Sequence, residues 1–261
     1  TTTSYTFTPA AGVCATTTTL TVTVNPLPAA AITAPTTTIL TCATPSITLT
    51  ATGGGTYSWS NGTAVVGTNA TLNVTNPGTY TVTVTSASGC TATASQIITQ
   101  DISLPIVAIT PPLTTVLTCT TTSINLTATG GGTYSWSNGT TVVGTSATIT
   151  VSTPGTYTCT ITGSNGCTAT VSQVITQNIS APNAAITAPT TSVLTCTTPS
   201  IDLQATGGVS YSWSNGTSSL GTNSLISAST PGTYTVTVTG TNGCIGTASQ
   251  VITQNISLPN A

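Results

Sequence analysis

No lysine, arginine or histidine occurs anywhere in this 261-residue chain, and its only acidic side chains are Asp101 and Asp202. Each absence removes a class of function. Without cations there is no electrostatic footprint for nucleic acid or anionic lipid and no lysine to hold a phosphate. Without histidine there is no imidazole base or ligand at neutral pH. The two aspartates, 101 positions apart, do not make a carboxylate pair, and no base stands ready to activate a serine or cysteine nucleophile. No catalytic residue is therefore assigned, and the chain reads as a non-enzyme. Calcium clips need clustered carboxylates, whereas the recurring linkers carry Asp101 once against Asn178 and Asn255; with no CxxC pair either, no metal site and no cofactor is expected. Methionine is absent and phenylalanine occurs once, so a core must be built from Val, Ile, Leu, Ala and a few Tyr and Trp. No run approaches the 18 apolar residues of a membrane span.

Threonine is abundant, at 72 positions, and the chain repeats itself. Cys42, Cys119 and Cys196 recur at a constant interval of 77 positions, as do Cys90, Cys167 and Cys244. Tyr57 and Trp59 return as Tyr134 and Trp136, then as Tyr211 and Trp213, each time in Y-S-W-S-N-G, and P-G-T-Y returns with Tyr80, Tyr157 and Tyr234. The period defines repeats at 29–105, 106–182 and 183–261, the last with a trailing linker. Residues 1–28 carry Y-T-F-T and Cys14 and read as the closing part of a preceding, incomplete domain, so the chain is expected to be a slice of a longer array.

Alternation of period two runs through these repeats, as in Tyr80, Val82 and Val84 set between threonines, and no helical stripe appears. Strands are expected over 37–42, 46–52, 56–60, 64–66, 70–74, 79–85 and 91–100. Seven short strands with Asn-Gly, Pro-Gly and Ser-Gly punctuation predict an all-β fold of tandem Ig-like seven-stranded antiparallel sandwiches. A β-solenoid, which also favours Thr and Gly, would show a period of about 20–30 residues, and only 77 is present. Trp59, Trp136 and Trp213, with Tyr57, Tyr80, Tyr134, Tyr157, Tyr211 and Tyr234, are expected in the cores, since turning the tryptophans outward for sugar stacking would empty lean domains of their largest apolar group.

Within each repeat the two cysteines stand 48 positions apart. This spacing favours intradomain disulfides, Cys42 with Cys90, Cys119 with Cys167 and Cys196 with Cys244, each stabilising by about 4 kcal/mol on the chain-entropy estimate, in an oxidising, extracellular setting. Cys42 lies ahead of the second strand, so the bridge is expected to tie sheet ends or edge strands and not to cross the core centre. Cys14 is left without a partner. Cys159 stands where Val82 and Val236 stand in the other repeats and reads as a buried small hydrophobe, the alternative being a bond to Cys14 of a neighbouring chain or domain. Asp202, at the position of Thr48 and Asn125, reads as a neutral substitution on a solvated strand.

N-x-[ST] triplets mark Asn61, Asn69, Asn73, Asn125, Asn138, Asn178, Asn215 and Asn255 as candidate glycosylation positions. At Asn61, Asn138 and Asn215, turn chemistry explains the same residues without a sugar.

The combination of C-x-T-x-x-I-x-L-x-A-T-G-G-G-x-Y-S-W-S-N-G, P-G-T-Y-T-V-T-V-T and G-C-T-A-T-A-S-Q resembles the Ig-like or PKD-like repeats of large secreted surface proteins and gliding adhesins of Bacteroidetes. The resemblance covers nearly the whole chain. It implies a secreted or cell-surface location and a role in attachment, motility or extracellular fibres. The chain departs from that pattern in its scarcity of charge and in T-S-A-S-G-C, T-G-S-N-G-C and T-G-T-N-G-C, where an Asp commonly precedes.

Two roles follow. The first is the structural region of an extracellular filament or adhesin stalk, whose partners are neighbouring repeats or identical chains. The second is an adhesin module that binds a surface glycan or protein through loops around Gly53–Gly55 and Gly130–Gly132. Near-identical repeats favour spacing over a dedicated receptor site. The orphan strands of residues 1–28 also raise completion by another chain.

Overall fold

A computed structural model describes residues 2–256; the end of the trailing linker lies outside the described residues. Strands β1 (Thr2–Phe7) and β2 (Thr18–Thr23) pair as an antiparallel hairpin exposed throughout. The first repeat follows as β3 (Ala31–Thr33), β4 (Ile39–Thr41), β5 (Ile47–Thr52), β6 (Thr56–Ser60), β7 (Val65–Gly67), β8 (Thr71–Val74), β9 (Gly78–Thr85) and β10 (Thr91–Asp101). One sheet has the order β3-β5-β8 and the other β4-β10-β9-β6-β7. The same eight strands recur from Ala108–Thr110 to Thr168–Asn178 and from Ala185–Thr187 to Ile245–Gln254, in the same two sheet orders.

This is the expected all-β tandem Ig-like sandwich, with two differences. A short strand, β3, precedes the seven expected, since Ala31–Thr33 is too brief to show alternation. The pairing is also not wholly antiparallel, because β4 runs parallel to the end of β10, Ile39 opposite Thr99 and Thr41 opposite Asp101.

Alternation builds each core. Along β9, Tyr80, Val82 and Val84 are buried while the intervening threonines stay at the surface, where Thr81 shares a 2.8 Å hydroxyl hydrogen bond with Ser95 of β10. Branched threonines favour extended backbone and their hydroxyls need no burial. Among the described residues no polar or charged residue is buried. Three separate apolar clusters form, around Trp59, Trp136 and Trp213, each tryptophan fully buried. Each indole N–H finds a carbonyl, of Asn69, Ser146 and Asn223, at 2.9–3.0 Å, so burial leaves no donor unpaired. Tyr80, Tyr157 and Tyr234 are buried too, with their hydroxyls donating to the carbonyls of Asn76, Thr153 and Thr230, the tyrosine corner of Ig-like sandwiches. Tyr57, Tyr134 and Tyr211 pack half-buried against the same clusters.

By packing, the chain divides into two compact units. The first comprises Thr1–Pro105 together with Thr162–Ala169, and the second Ile106–Ile161 with Thr170–Ala261. The hairpin tip at 162–169, which by sequence belongs to the second repeat, thus packs with the first.

Candidate functional site

The cysteines form two bonds, and neither is the pairing that the spacing favours. Cys42 bonds Cys167 and Cys119 bonds Cys244, each with Cα atoms 5.0 Å apart and a sequence separation of 125 residues. The first cysteine of one repeat thus joins the second cysteine of the next. Strand direction explains why. Cys42 follows β4, which lies parallel to the end of β10, whereas Cys90 immediately precedes the start of β10. The 11-residue strand therefore holds the two cysteines of a repeat at opposite ends, about 40 Å apart by strand rise, and a disulfide tolerates no more than about 7 Å between Cα atoms. Cys90 and Cys196 remain as thiols, half-buried and exposed respectively, as does exposed Cys14. The bridges do lie at sheet ends and not across the core, but at ends of successive repeats.

A turn of constant form presents the second cysteine. In the first unit, Gly163 N–H donates to the Cys167 carbonyl at 2.8 Å and Gly166 N–H to the Gly163 carbonyl at 2.9 Å. Gly166 has φ +78°, and a Cβ there would stand 2.6 Å from Ala43 Cβ and 2.8 Å from Ala43 N. Only glycine permits both the turn and the approach. Ala43 N–H then donates to the Asn165 carbonyl at 3.2 Å. In the second unit Gly243, at φ +73°, faces Thr120 in the same way, and Cys119 N–H donates to the Asn242 carbonyl at 3.2 Å.

Beside each bond an asparagine clamps the linker. Asn165 Nδ2 donates to the Ser103 carbonyl at 2.9 Å and to Asp101 Oδ1 at 3.2 Å, while its Oδ1 accepts from Cys167 N–H at 3.1 Å. Asn242 makes the same set with the Ser180 carbonyl, Asn178 Oδ1 and Cys244 N–H, at 2.9, 3.1 and 3.1 Å. Sequence reasoning did not assign roles to these asparagines. Their signal was the G-x-N-G-C tip, which the first repeat lacks: there Ser86 and Ser88 bond each other at 2.9 Å.

The two clamps differ in charge. Hydrogen bonds from Ser103, first its backbone N–H, and then from Asn165 hold the Asp101 carboxyl below the usual carboxylate range. A lowered folded-state pKa means that the carboxylate's contribution is present above the ordinary range, near about pH 4, and is lost as pH falls through the folded value. We therefore expect acid to loosen the Asp101 clamp and not the Asn178 clamp. In reduced protein, hydrogen exchange at Ser103 should accelerate below about pH 4 relative to neutral, after correction for intrinsic rates. D101N should remove that dependence; an unchanged profile in D101N would assign it elsewhere.

The remaining candidates are placed as follows. Cys159 is fully buried among the second cluster and burial pushes its thiol up, so no neighbour's Cys14 reaches it in the folded state. Asp202 is exposed and accepts from the Ser227 hydroxyl at 2.8 Å. Asn61 Oδ1 accepts from Thr63 N–H at 3.1 Å and Ala64 N–H at 2.9 Å, closing the turn between β6 and β7, and Asn138 and Asn215 repeat the arrangement. Asn69, Asn73, Asn125, Asn178 and Asn255 are exposed. In the glycine loops, Gly54 and Gly131 face open space, while Gly53, Gly55 and Gly130 pack closely against backbone. A Cβ at Gly53 would lie 2.8 Å from the Ala29 carbonyl oxygen, one at Gly130 2.8 Å from that of Ile106, and Gly55 abuts the Thr85 carbonyl. Among the described residues no His, Cys, Asp and Glu group suits a metal ion, and no helix is long and apolar enough to cross a membrane.

No family model matches the chain, and no curated protein matches it. Solved structures of similar fold include the three N-terminal domains of the bacteriophage RB49 highly immunogenic outer capsid protein, at 18% identity and TM-score 0.36, covering 82% of this chain and 94% of that one. A 1.5-MDa bacterial ice-binding adhesin is similar at 16% identity and TM-score 0.41, covering 81% and 91%. The insect immune protein hemolin is similar at 13% identity and TM-score 0.31, covering 87% and 76%. By its own sheets and cores, the chain is a disulfide-stabilised array of Ig-like β-sandwiches.

Proposed function

We propose that the chain is the structural region of an extracellular surface filament or adhesin stalk, of the kind its sequence resembles among secreted Bacteroidetes surface proteins. The observation that carries this reading is the register of the disulfides. Bonds between consecutive repeats add nothing to a binding pocket, but they carry tension past a domain that has opened. Stable bonds of this kind fit an oxidising compartment outside the cell. The surface suits the same role: threonine hydroxyls hydrate it without charge, and a chain free of lysine and arginine offers trypsin-like proteases no cleavage site. The repeats at 29–105, 106–182 and 183–261 serve as spacers in this reading.

Immunogold labelling of the source cells with antibody to the chain should decorate extracellular fibres. Label confined to the cell interior would sink the proposal. A glycan array should show no binding by the oxidised chain; specific binding there would support the adhesin-module reading instead.

A further inference from the structure

We propose that Cys159 is a concealed nucleophile: when the core of its repeat opens, its thiolate attacks the Cys42–Cys167 bond, takes Cys167 for itself and releases Cys42. That Cys159 has no partner does not depend on what lies beside its repeat in an array. Both recurring cysteine positions of that repeat are filled, by Cys119 and Cys167, and both are bonded. Cys159 is additional to them, at the position of Val82 and Val236. The core itself asks for no thiol there, since valine fills the same buried slot in the other two repeats.

The thiol is close to that bond along the chain and sealed from it by its own core. Cys159 lies on the strand Gly155–Thr162, fully buried in the cluster around Trp136. Burial disfavours the charged form and holds the thiol above its ordinary range, so the folded repeat keeps it inert. The same strand runs directly into the tip that carries Cys167, eight positions on, and the tip at 162–169 packs with the first unit. Opening of the core around Trp136 therefore frees Cys159 without needing to displace the tip or its bond. The freed thiol is on a leash of at most about 28 Å of extended chain. Its effective concentration towards the bond is of millimolar order.

The step needs no oxidant. Freed Cys159, with an ordinary thiol pKa of about 8.5, loses its proton to water, and the thiolate attacks the Cys167 sulfur. The Cys159–Cys167 bond forms, the Cys42–Cys167 bond breaks, and Cys42 leaves as a thiolate that takes up a proton, so one disulfide and one thiol stand on each side. Attack on the Cys167 sulfur is favoured over attack on the Cys42 sulfur because it replaces a loop of 125 residues by one of eight, whose closure costs less entropy. The Cys119–Cys244 bond is 40 positions from Cys159 at its nearer end. Encounters with it should be about tenfold rarer, since closure falls as roughly the 3/2 power of loop length.

The exchange turns a passing opening into a lasting one. With Cys159 held to Cys167, its side chain no longer returns to the core that it fills in the folded repeat, and the first repeat loses its disulfide to the second. Brief opening leaves the bonds as they are, whereas prolonged opening adds slack. The covalent path from Cys42 to Cys244 then runs along the chain to Cys119 and across the second bond, 77 positions in place of the 48 between Cys119 and Cys167. It lengthens by about 100 Å.

The inference depends on the register of the bonds and not on the stalk reading, and a disulfide map of the starting protein checks that register first. The C14A/C90A/C196A chain retains Cys159 as its single thiol. It is held at about pH 8.5, with and without W136A to open the repeat, alkylated at intervals and digested with chymotrypsin for mass spectrometry. We expect the label to move from Cys159 to Cys42 about 10²–10³-fold faster with W136A than without, at a rate independent of protein concentration. C159V, which installs the side chain of the other two cores, should abolish the release of Cys42. Held at constant force, the opened chain should lengthen by about 100 Å in a further step that C159V removes. The proposal is overturned if W136A, with its repeat shown open by hydrogen exchange, keeps the Cys42–Cys167 bond and alkylates only at Cys159, or if Cys42 is released equally in C159V.

Discussion

Pulled from its ends, the oxidised chain should reach, between Cys42 and Cys244, about a quarter of the extended length that the reduced chain reaches. These cysteines are separated by 202 positions, about 700 Å of extended chain at roughly 3.5 Å per residue. The two disulfides interlace, since Cys119 lies inside the loop closed by Cys42–Cys167 and Cys167 inside that closed by Cys119–Cys244. The shortest covalent path crosses the first bond to Cys167, returns along the chain to Cys119 and crosses the second to Cys244. That path extends to about 170 Å. Single-molecule force spectroscopy with and without reductant measures the difference directly, and equal extensions would mean that the bonds are absent. The double variant C90A/C196A separates this pairing from bonds within repeats. It leaves the short path unchanged here, whereas bonds within repeats would then leave two whole repeat lengths free, from Cys42 to Cys119 and from Cys167 to Cys244, about 540 Å in all. Such a tether limits how far an overstretched stalk lengthens even after its domains open.

Much of this architecture is legible in the sequence, and the illegible part has a definite cause. Tyr80, Val82 and Val84 alternate with threonines because that strand has one wet and one dry face, so period and polarity agree. Trp59, Trp136 and Trp213 recur at the repeat interval and each occupies its own cluster. The Asn-Gly pairs at Asn61, Asn138 and Asn215 are turns because the side-chain oxygen replaces a backbone acceptor. The disulfide pairing is different in kind. The spacing of two cysteines within a repeat reports chain length, whereas bonding depends on the end of the sandwich at which each cysteine lies. That is decided by three residues, Ile39–Thr41, pairing parallel to the end of β10; the strand itself is expected from the sequence, but its neighbour and direction leave no mark in the alternation. The clamping asparagines are hidden for a related reason: an Asn-Gly tip reads as a turn, and only the fold brings Asn165 and Asn242 against linkers 62–64 residues earlier.

Removing the central tryptophan should separate the middle repeat from its neighbours. Trp→Ala in a packed core costs about 3–5 kcal/mol, and a domain of this size has about 4–12 kcal/mol to lose, at roughly 0.05–0.15 kcal/mol per residue. In reduced protein W59A, W136A and W213A should therefore behave alike, each raising amide exchange in its own repeat by about 10²–10³-fold or more. Oxidation breaks the equivalence. Repeats one and three each hold one bonded cysteine, Cys42 and Cys244, but repeat two holds two, Cys119 and Cys167. When the middle repeat unfolds, both ends of its segment from Cys119 to Cys167 stay anchored to folded neighbours, and each anchor removes loop entropy worth about 4 kcal/mol from the unfolded state. W136A in the oxidised chain should accordingly keep markedly more protection than W59A or W213A, and lose that advantage when reduced. Exchange followed through peptic fragments resolves the three repeats in one experiment. If W136A exchanges as fast as W59A with both bonds intact, the bonds do not constrain the unfolded middle repeat, and the mechanical role assigned to them fails with it. If the order holds, the repeat most protected against local unfolding is the one bonded on both sides, at Cys119 and at Cys167.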